Sequence, residues 1–475
     1  MLNQNRVFPL FFVVFAVACY CLVAGWLALF SFSLSDFVYE IDFFVLLSIA
    51  IFVTLLLASF WSFRVWLAVF PLVLFLVPNS VNDVFPFFNM GPDHEVASAT
   101  FSTFTHIDIY FFSLIFHFFG RLFYEYLEVS LRFLILFFVF LIFSFLYLFL
   151  SVRYLEDSQL LGLFLAGTYQ VRYLFYGFIF FLMFDFFKHA RVFVVALLVG
   201  LACLILESTV FSHTEGLSRI SSGNFGVNVF ANLLVFLVCF FIFSRTFFRG
   251  WLGLFFAFVL LSAIAVVFFS QTRIALVSLI FAMLFYLILR FSRNLSVMAK
   301  LSCFLVLLLA PLIFSFVYFF FNIKYFQEVL GYNFISSLMT RHSLWSASLE
   351  IFSDNFLGVG NLIFNVLRYE YFKVAVLLDP HSDYFGFLVG YGVLGLGFYI
   401  TFLVYSYFLV FKFSGQYFSS GYSYPFATFF ALSVLSVSSL TNSNFQKHQF
   451  YILIIFVFVA GIKSVMSVDS DKIEK

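Results

Sequence analysis

The run LGLFFAFVLLSAIAVVFF at residues 252–269 holds no charged side chain. Four residues later, after Ser270-Gln271-Thr272-Arg273, a second apolar run, IALVSLIFAMLFYLILR, occupies 274–290. One helical crossing of a bilayer needs about 20 apolar residues, and each run is close to that length. Neither alternates with the short period of a barrel strand. In lipid, a helix satisfies its own backbone hydrogen bonds, so the pair is expected to be a hairpin of two transmembrane helices.

The same pattern extends in both directions. Apolar runs occur near 8–30, 43–61, 65–78, 109–127, 132–150, 172–187, 192–207 and 226–243 on one side, and near 301–321, 383–411, 425–440 and 448–466 on the other. With the opening pair this makes fourteen candidate spans, or about twelve if the run at 109–127, which carries Arg121 and Glu125, is re-entrant. The expected fold is all-α: a polytopic transmembrane helix bundle of about 12–14 spans, forming a single transmembrane domain over 1–475. Composition agrees. The chain is 64% hydrophobic and 10% charged, with mean hydropathy +1.11, whereas a soluble domain carries about 25% charge. A net charge of +1 argues against a nucleic-acid partner. Cys19, Cys21, Cys203, Cys239 and Cys303 all lie in apolar runs, which argues against a disulfide framework or a zinc site.

Lysine and arginine near span ends set orientation. With Arg6 inside and strict alternation, 15 of the 24 basic residues fall inside and 17 of the 23 acidic residues outside. Both termini are then cytoplasmic. Two outside segments are long: about 79–108, and a large periplasmic loop at about 322–382. The second is aromatic and helically periodic. Arg341, Trp345, Ser348 and Phe352 share one face, and Leu344, Trp345, Leu349 and Phe352 suit a helix lying on the membrane surface.

Nine basic residues remain outside against the bias, Arg172, Arg219, Arg273 and Arg341 among them. The planar guanidinium binds phosphate bidentately, so arginines at the outer boundary suit a lipid-linked diphosphate; interfacial pairing with Glu215, Glu350 or Asp354 is the alternative. Asp379-Pro380-His381-Ser382-Asp383-Tyr384 closes the long loop and opens a span. His381 suits general base work, with Ser382 or Asp383 able to cap the helix that follows. Gly386 and Gly390 form a G-x-x-x-G pair for close helix approach, followed by Gly392, Gly395 and Gly397. Phe356-Leu357-Gly358-Val359-Gly360-Asn361 is a tight turn that either reverses the chain or admits a ligand. Asp469-Ser470-Asp471 on a short cytoplasmic tail is a solvated segment, and no Walker loop or H-E-x-x-H is present.

In order and spacing, these features resemble the O-antigen ligase and O-antigen polymerase superfamily over about 215–411. The residues that carry the likeness are Arg219 with the following Asn228 and Asn232, the Ser270-to-Arg273 hairpin, and Arg341, Trp345 and Gly358-Val359-Gly360. Pro380-His381-Ser382-Asp383-Tyr384 with Gly392 and Gly395 completes it, serine standing where the family usually has asparagine. The resemblance implies a lipid-linked glycan transferase of the bacterial cell inner membrane. Its donor would be an undecaprenyl-diphosphate-linked glycan on the periplasmic face, and the acceptor lipid A-core or a second lipid-linked glycan. His381, Arg273 and Arg341 would be catalytic. Arg219, Arg172, Trp345 and Asp383 would bind diphosphate or substrate, with no cofactor and no metal. Ligase, polymerase, protein O-glycosyltransferase and a non-enzymatic transporter or flippase of lipid-linked sugars all remain open at this stage.

Overall fold

The computed structural model describes residues 40–77, 105–124, 169–214, 219–220, 222, 225–248, 250–296, 299–300, 302, 332–360, 380–420, 423–446 and 448–473. Among these residues the chain is helical, with no strand. In order the helices are α1 (Glu40–Ser59), α2 (Phe63–Leu76), α3 (His106–Tyr124), α4 (Tyr169–Met183), α5 (Phe186–Thr214) and α6 (Val227–Phe243). They continue as α7 (Trp251–Phe269), α8 (Arg273–Phe291), α9 (Tyr332–Asp354), α10 (Asp383–Ser420), α11 (Tyr424–Ser438) and α12 (His448–Ile473). Eleven of the fourteen candidate spans coincide with one of these helices. The runs at 8–30, 132–150 and 301–321 lie outside the described residues, apart from Ser302, as does most of 79–108.

Among the described residues, five helices are long and apolar enough to cross a membrane: Phe186–His213 in α5, all of α7, α8 and α10, and Gln449–Ser467 in α12. The rest of the apolar set is shorter, including Phe63–Leu76, Val227–Phe243 and Tyr424–Ser438. The shorter members are sequestered by the longer ones. Every residue of α11 is buried, and α6, α8, α10 and α12 pack around it. A helix apolar on all sides is either buried in protein or faces lipid, and α11 is buried. The Ser423 side chain caps α11 by accepting from the Phe426 amide, and Pro425 occupies its first turn. In the N-terminal half, Trp66 of α2 stacks on Phe70 and Tyr110, and Phe456 of α12 stacks on Phe70 and Phe180. One continuous apolar core therefore joins both halves of the chain.

Contacts between helices respect the alternation read from the sequence. Arg121 at the end of α3 donates to the Met183 carbonyl at the end of α4, and Lys463 of α12 lies over the Phe181 ring at 4.1 Å. Both contacts join span ends that the sequence reading assigned to the same side. Three expectations need correction. α12 runs to Ile473, so Asp469-Ser470-Asp471 is helical where a tail was expected. α10 is broken at Gly392, whose φ of 64° lies outside the helical region. α9 packs its Leu344, Ala347, Ser348 and Ile351 face into the protein, against α10, while Leu349 is 51% exposed. Its apolar surface is therefore mostly spent on α10, and Leu344 is not free to rest on a membrane surface.

Candidate functional site

The site forms where the α7–α8 turn, the C-terminal half of α9 and the entry to α10 meet. The α7–α8 turn is tight. Ser270 Oγ donates to the Val267 carbonyl at 2.7 Å, Gln271 takes a left-handed φ of 53°, and the Thr272 carbonyl accepts the Leu276 amide. Arg273 is then the first residue of α8 and is exposed. A cation at a helix N-terminus opposes the helix dipole, and the same field attracts an anion.

Arg341 of α9 is brought to Arg273. Burial holds the Arg341 guanidinium below its ordinary basicity, and the nearby positive charge of Arg273 lowers it further. Arg341 Nε is buried and has no hydrogen-bond partner among the described residues. One turn further along the same helix face, Trp345 Nε1 is in the same condition. Buried polar atoms are ordinarily paired, so two orphan donors beside a pair of like charges leave hydrogen-bonding capacity for an anionic or hydroxylated ligand. The Trp345 indole stacks on Phe385 of α10, with ring centroids 5.5 Å apart and planes 19° from parallel. That stack joins α9 to the His381 turn, which lies four residues before Phe385.

His381 has a φ of 50°, a conformation that costs a non-glycine residue about 1–2 kcal/mol. The residues after it hold the turn in place. Ser382 Oγ and the Asp383 amide both donate to the Ser439 carbonyl, at 3.1 and 3.0 Å. The buried Asp383 carboxylate accepts from the Phe445 amide at 3.0 Å and from Asn444 Nδ2 at 3.2 Å. Neither side chain is spent on capping α10, as the sequence suggested; both reach across to the turn between α11 and α12. The glycines also have a different partner. The Val359 and Gly360 amides donate to the Val389 and Gly390 carbonyls at 2.9 Å, and the Val393 amide donates back to Phe356. Gly358 and Gly392 face each other with positive φ, and a Cβ on either would strike the other strand of backbone. The glycine turn is thus clamped to the break in α10, and Gly390 serves that contact.

The other two candidates lie apart from these contacts. Arg219 is exposed in the short connection before α6. Arg172 on α4 makes an ion pair with Asp108 of α3, Nε to Oδ1 at 3.1 Å, and Asp108 also accepts from the Thr105 amide and hydroxyl and from Tyr176 Oη. Sequence reasoning passed over Asp108, although it opens one run at the same end at which Arg172 opens another. It also passed over Ser439 and Asn444, short polar residues in a turn between two spans.

The fold defines a multi-pass helical membrane protein in which Arg341 of α9 lies near Arg273 of α8 with Trp345 one turn on. Residues 257–400 match the family model described as O-antigen ligase, and over this region the chain is similar to that family. The match takes in α7 from Ala257 through α10 to Ile400, and so includes Arg273, Arg341, Trp345, His381 and Asp383; Arg172 and Arg219 lie outside it. No curated protein matches the chain.

Proposed function

We propose that this protein is a glycosyltransferase of the bacterial inner membrane. In this reading it transfers a glycan from undecaprenyl diphosphate, on the periplasmic face, to lipid A-core. The observation that carries this is the pair Arg273 and Arg341, held together despite like charge, with the orphan Arg341 Nε and Trp345 Nε1 donors beside them. Two guanidiniums kept close to each other suit a ligand that brings two or more negative charges. A lipid diphosphate does so, and its charge grows as it leaves.

The chemistry follows. The acceptor hydroxyl attacks the anomeric carbon and its proton passes to the His381 imidazole. The bond from that carbon to the diphosphate oxygen breaks, and the electron pair leaves with the phosphate. Arg273 and Arg341 stabilise the emerging charge through charge-assisted hydrogen bonds. Trp345 offers an aromatic face and an N–H to the sugar, and the Asp383 turn fixes His381. Arg219 and Arg172 are outer basic residues that would help to recruit the donor.

Lipopolysaccharide profiling of a deletion strain tests the reading. Loss of all O-antigen, with polymerised lipid-linked glycan accumulating, is the expected outcome. A core bearing one repeat unit would replace this reading with a polymerase. Restoring the strain with a His381→Ala variant at normal protein level should give no transfer; survival of transfer would sink the mechanism.

A further inference from the structure

We propose that Asn444, in the turn between α11 and α12 and outside the family-matched region, is a positioning residue for His381. The inference rests on the reading of His381 as the base. Its basis is one buried network. Asn444 is fully buried. Its Oδ1 accepts from Asn232 Nδ2 of α6 at 2.9 Å, and its Nδ2 donates to Asp383 Oδ2 at 3.2 Å and to Ser438 Oγ at 3.1 Å. The amide therefore links three helices and presents its donor side to the carboxylate two residues beyond His381. The adjacent Phe445 amide supplies the second donor to that carboxylate. A left-handed non-glycine residue persists only where its surroundings over-determine it. Here the contacts of Ser382 and Asp383, the two residues after it, come from 439–445, through the Ser439 carbonyl, Asn444 and the Phe445 amide. Asn444 supplies its anchor through a side chain, so a substitution can remove it without touching the peptide backbone.

Asn444 acts through Asp383 and touches no reacting atom. Its loss should loosen the turn and displace the imidazole while the arginine pair on α8 and α9 stays in place. Misplacement of about 1 Å at a reacting group costs on the order of 10²-fold in rate. The experiment uses the full chain in nanodiscs with a lipid-linked glycan donor, and compares wild type, Asn444→Ala, Ser382→Ala and the hairpin control Asn442→Ala. Two readouts are taken: kcat and donor KM for transfer, and the donor-free rate at which diethyl pyrocarbonate modifies His381, followed by mass spectrometry. For Asn444→Ala the expected result is kcat down about 10²-fold with donor KM within about twofold. His381 modification should be several-fold faster, while Asn442→Ala matches wild type in both. A kcat within about threefold of wild type, or an unchanged modification rate, overturns the proposal. If Asn444→Ala fails to fold, Ser382→Ala decides: a kcat loss of about tenfold at constant KM supports the anchoring of the turn, and no loss overturns it. If wild type transfers no glycan, the functional reading fails, and the modification rates alone decide whether Asn444 holds His381.

Discussion

Replacing Asp108 by alanine would remove the buried carboxylate to which Arg172 is paired. The Asp108 side chain is fully buried and that of Arg172 is 17% exposed. Thr105 donates to the carboxylate through its amide at 2.9 Å and its hydroxyl at 3.1 Å, Arg172 through Nε and Nη2, and Tyr176 through Oη. Removing one member of a buried pair costs about 3–5 kcal/mol, because the other charge is left uncompensated. Partial access of water to Arg172 places the expected loss near the low end, about 3 kcal/mol. Replacing both residues by apolar ones of similar volume, Asp108→Leu with Arg172→Met, should lie within about 1 kcal/mol of wild type, about 2 kcal/mol more stable than Asp108→Ala alone. Denaturation of the detergent-solubilised protein measures this, with fluorescence of the buried Trp66, stacked on Tyr110 of the same helix as Asp108, as reporter. An Asp108→Ala variant within about 1 kcal/mol of wild type, or a double variant as unstable as the single one, would refute the argument. The double variant also decides the role of Arg172. If donor KM is unchanged in it, Arg172 serves the fold and takes no part in holding diphosphate.

Gly392→Ala should destabilise the protein by about 2–4 kcal/mol, combining the left-handed φ with a clash against the Phe356–Leu357 backbone, and should lower transfer activity. The same unfolding measurement checks it. Arg273→Ala should raise the stability of the donor-free protein slightly, by relieving Arg341 of a like charge, while weakening donor binding about tenfold or more. Thermal unfolding with and without donor separates the two effects. Burial alone would raise the Asp185 carboxyl, but the Lys188 amide and ammonium, together with His189, outweigh it and hold the group below its ordinary value of 3.8. The ionised form is thus favoured by folding. The contribution is complete above pH 3.8 and is lost as pH falls through the lowered folded value. Asp185→Asn should flatten the acid limb of the stability profile and leave stability at pH 5 and above lower than in wild type.

The spans were legible because a helix in lipid must be apolar over its whole crossing, and that requirement is written one residue at a time, as in 252–269. Candidate residues at span ends were legible for the same reason, since charge is excluded elsewhere. What the sequence left hidden was partnership. Arg172 and Arg273 look alike in sequence, each a lone arginine at the outer end of a run. One is held by Asp108, sixty-four positions away, and the other approaches Arg341. Gly390 and Gly392 look like a helix-packing stripe, and their contact is the turn at 356–360. The face of α9 was misjudged because Leu344 and Leu349 are equally apolar, and only the arrival of α10 selects which is covered.

The position of Asn444 bears on where the functional unit ends. The family-matched region stops at Ile400, just beyond the break in α10, and contains both arginines and His381. A chain truncated there would keep those groups and lose the Ser439 carbonyl, the Phe445 amide and the Asn444 side chain, which together hold the turn after His381. It would also lose α11, the buried helix around which α6, α8, α10 and α12 assemble. A relaxed His381 turn would return to the negative φ that a non-glycine residue prefers and re-aim the imidazole. The arginine end of the site depends on α8 and α9, and the histidine end depends on the α11–α12 turn. Donor binding and proton transfer should therefore be separable by mutation: substitutions at Arg273 act on donor affinity, and those at Asn444 on turnover.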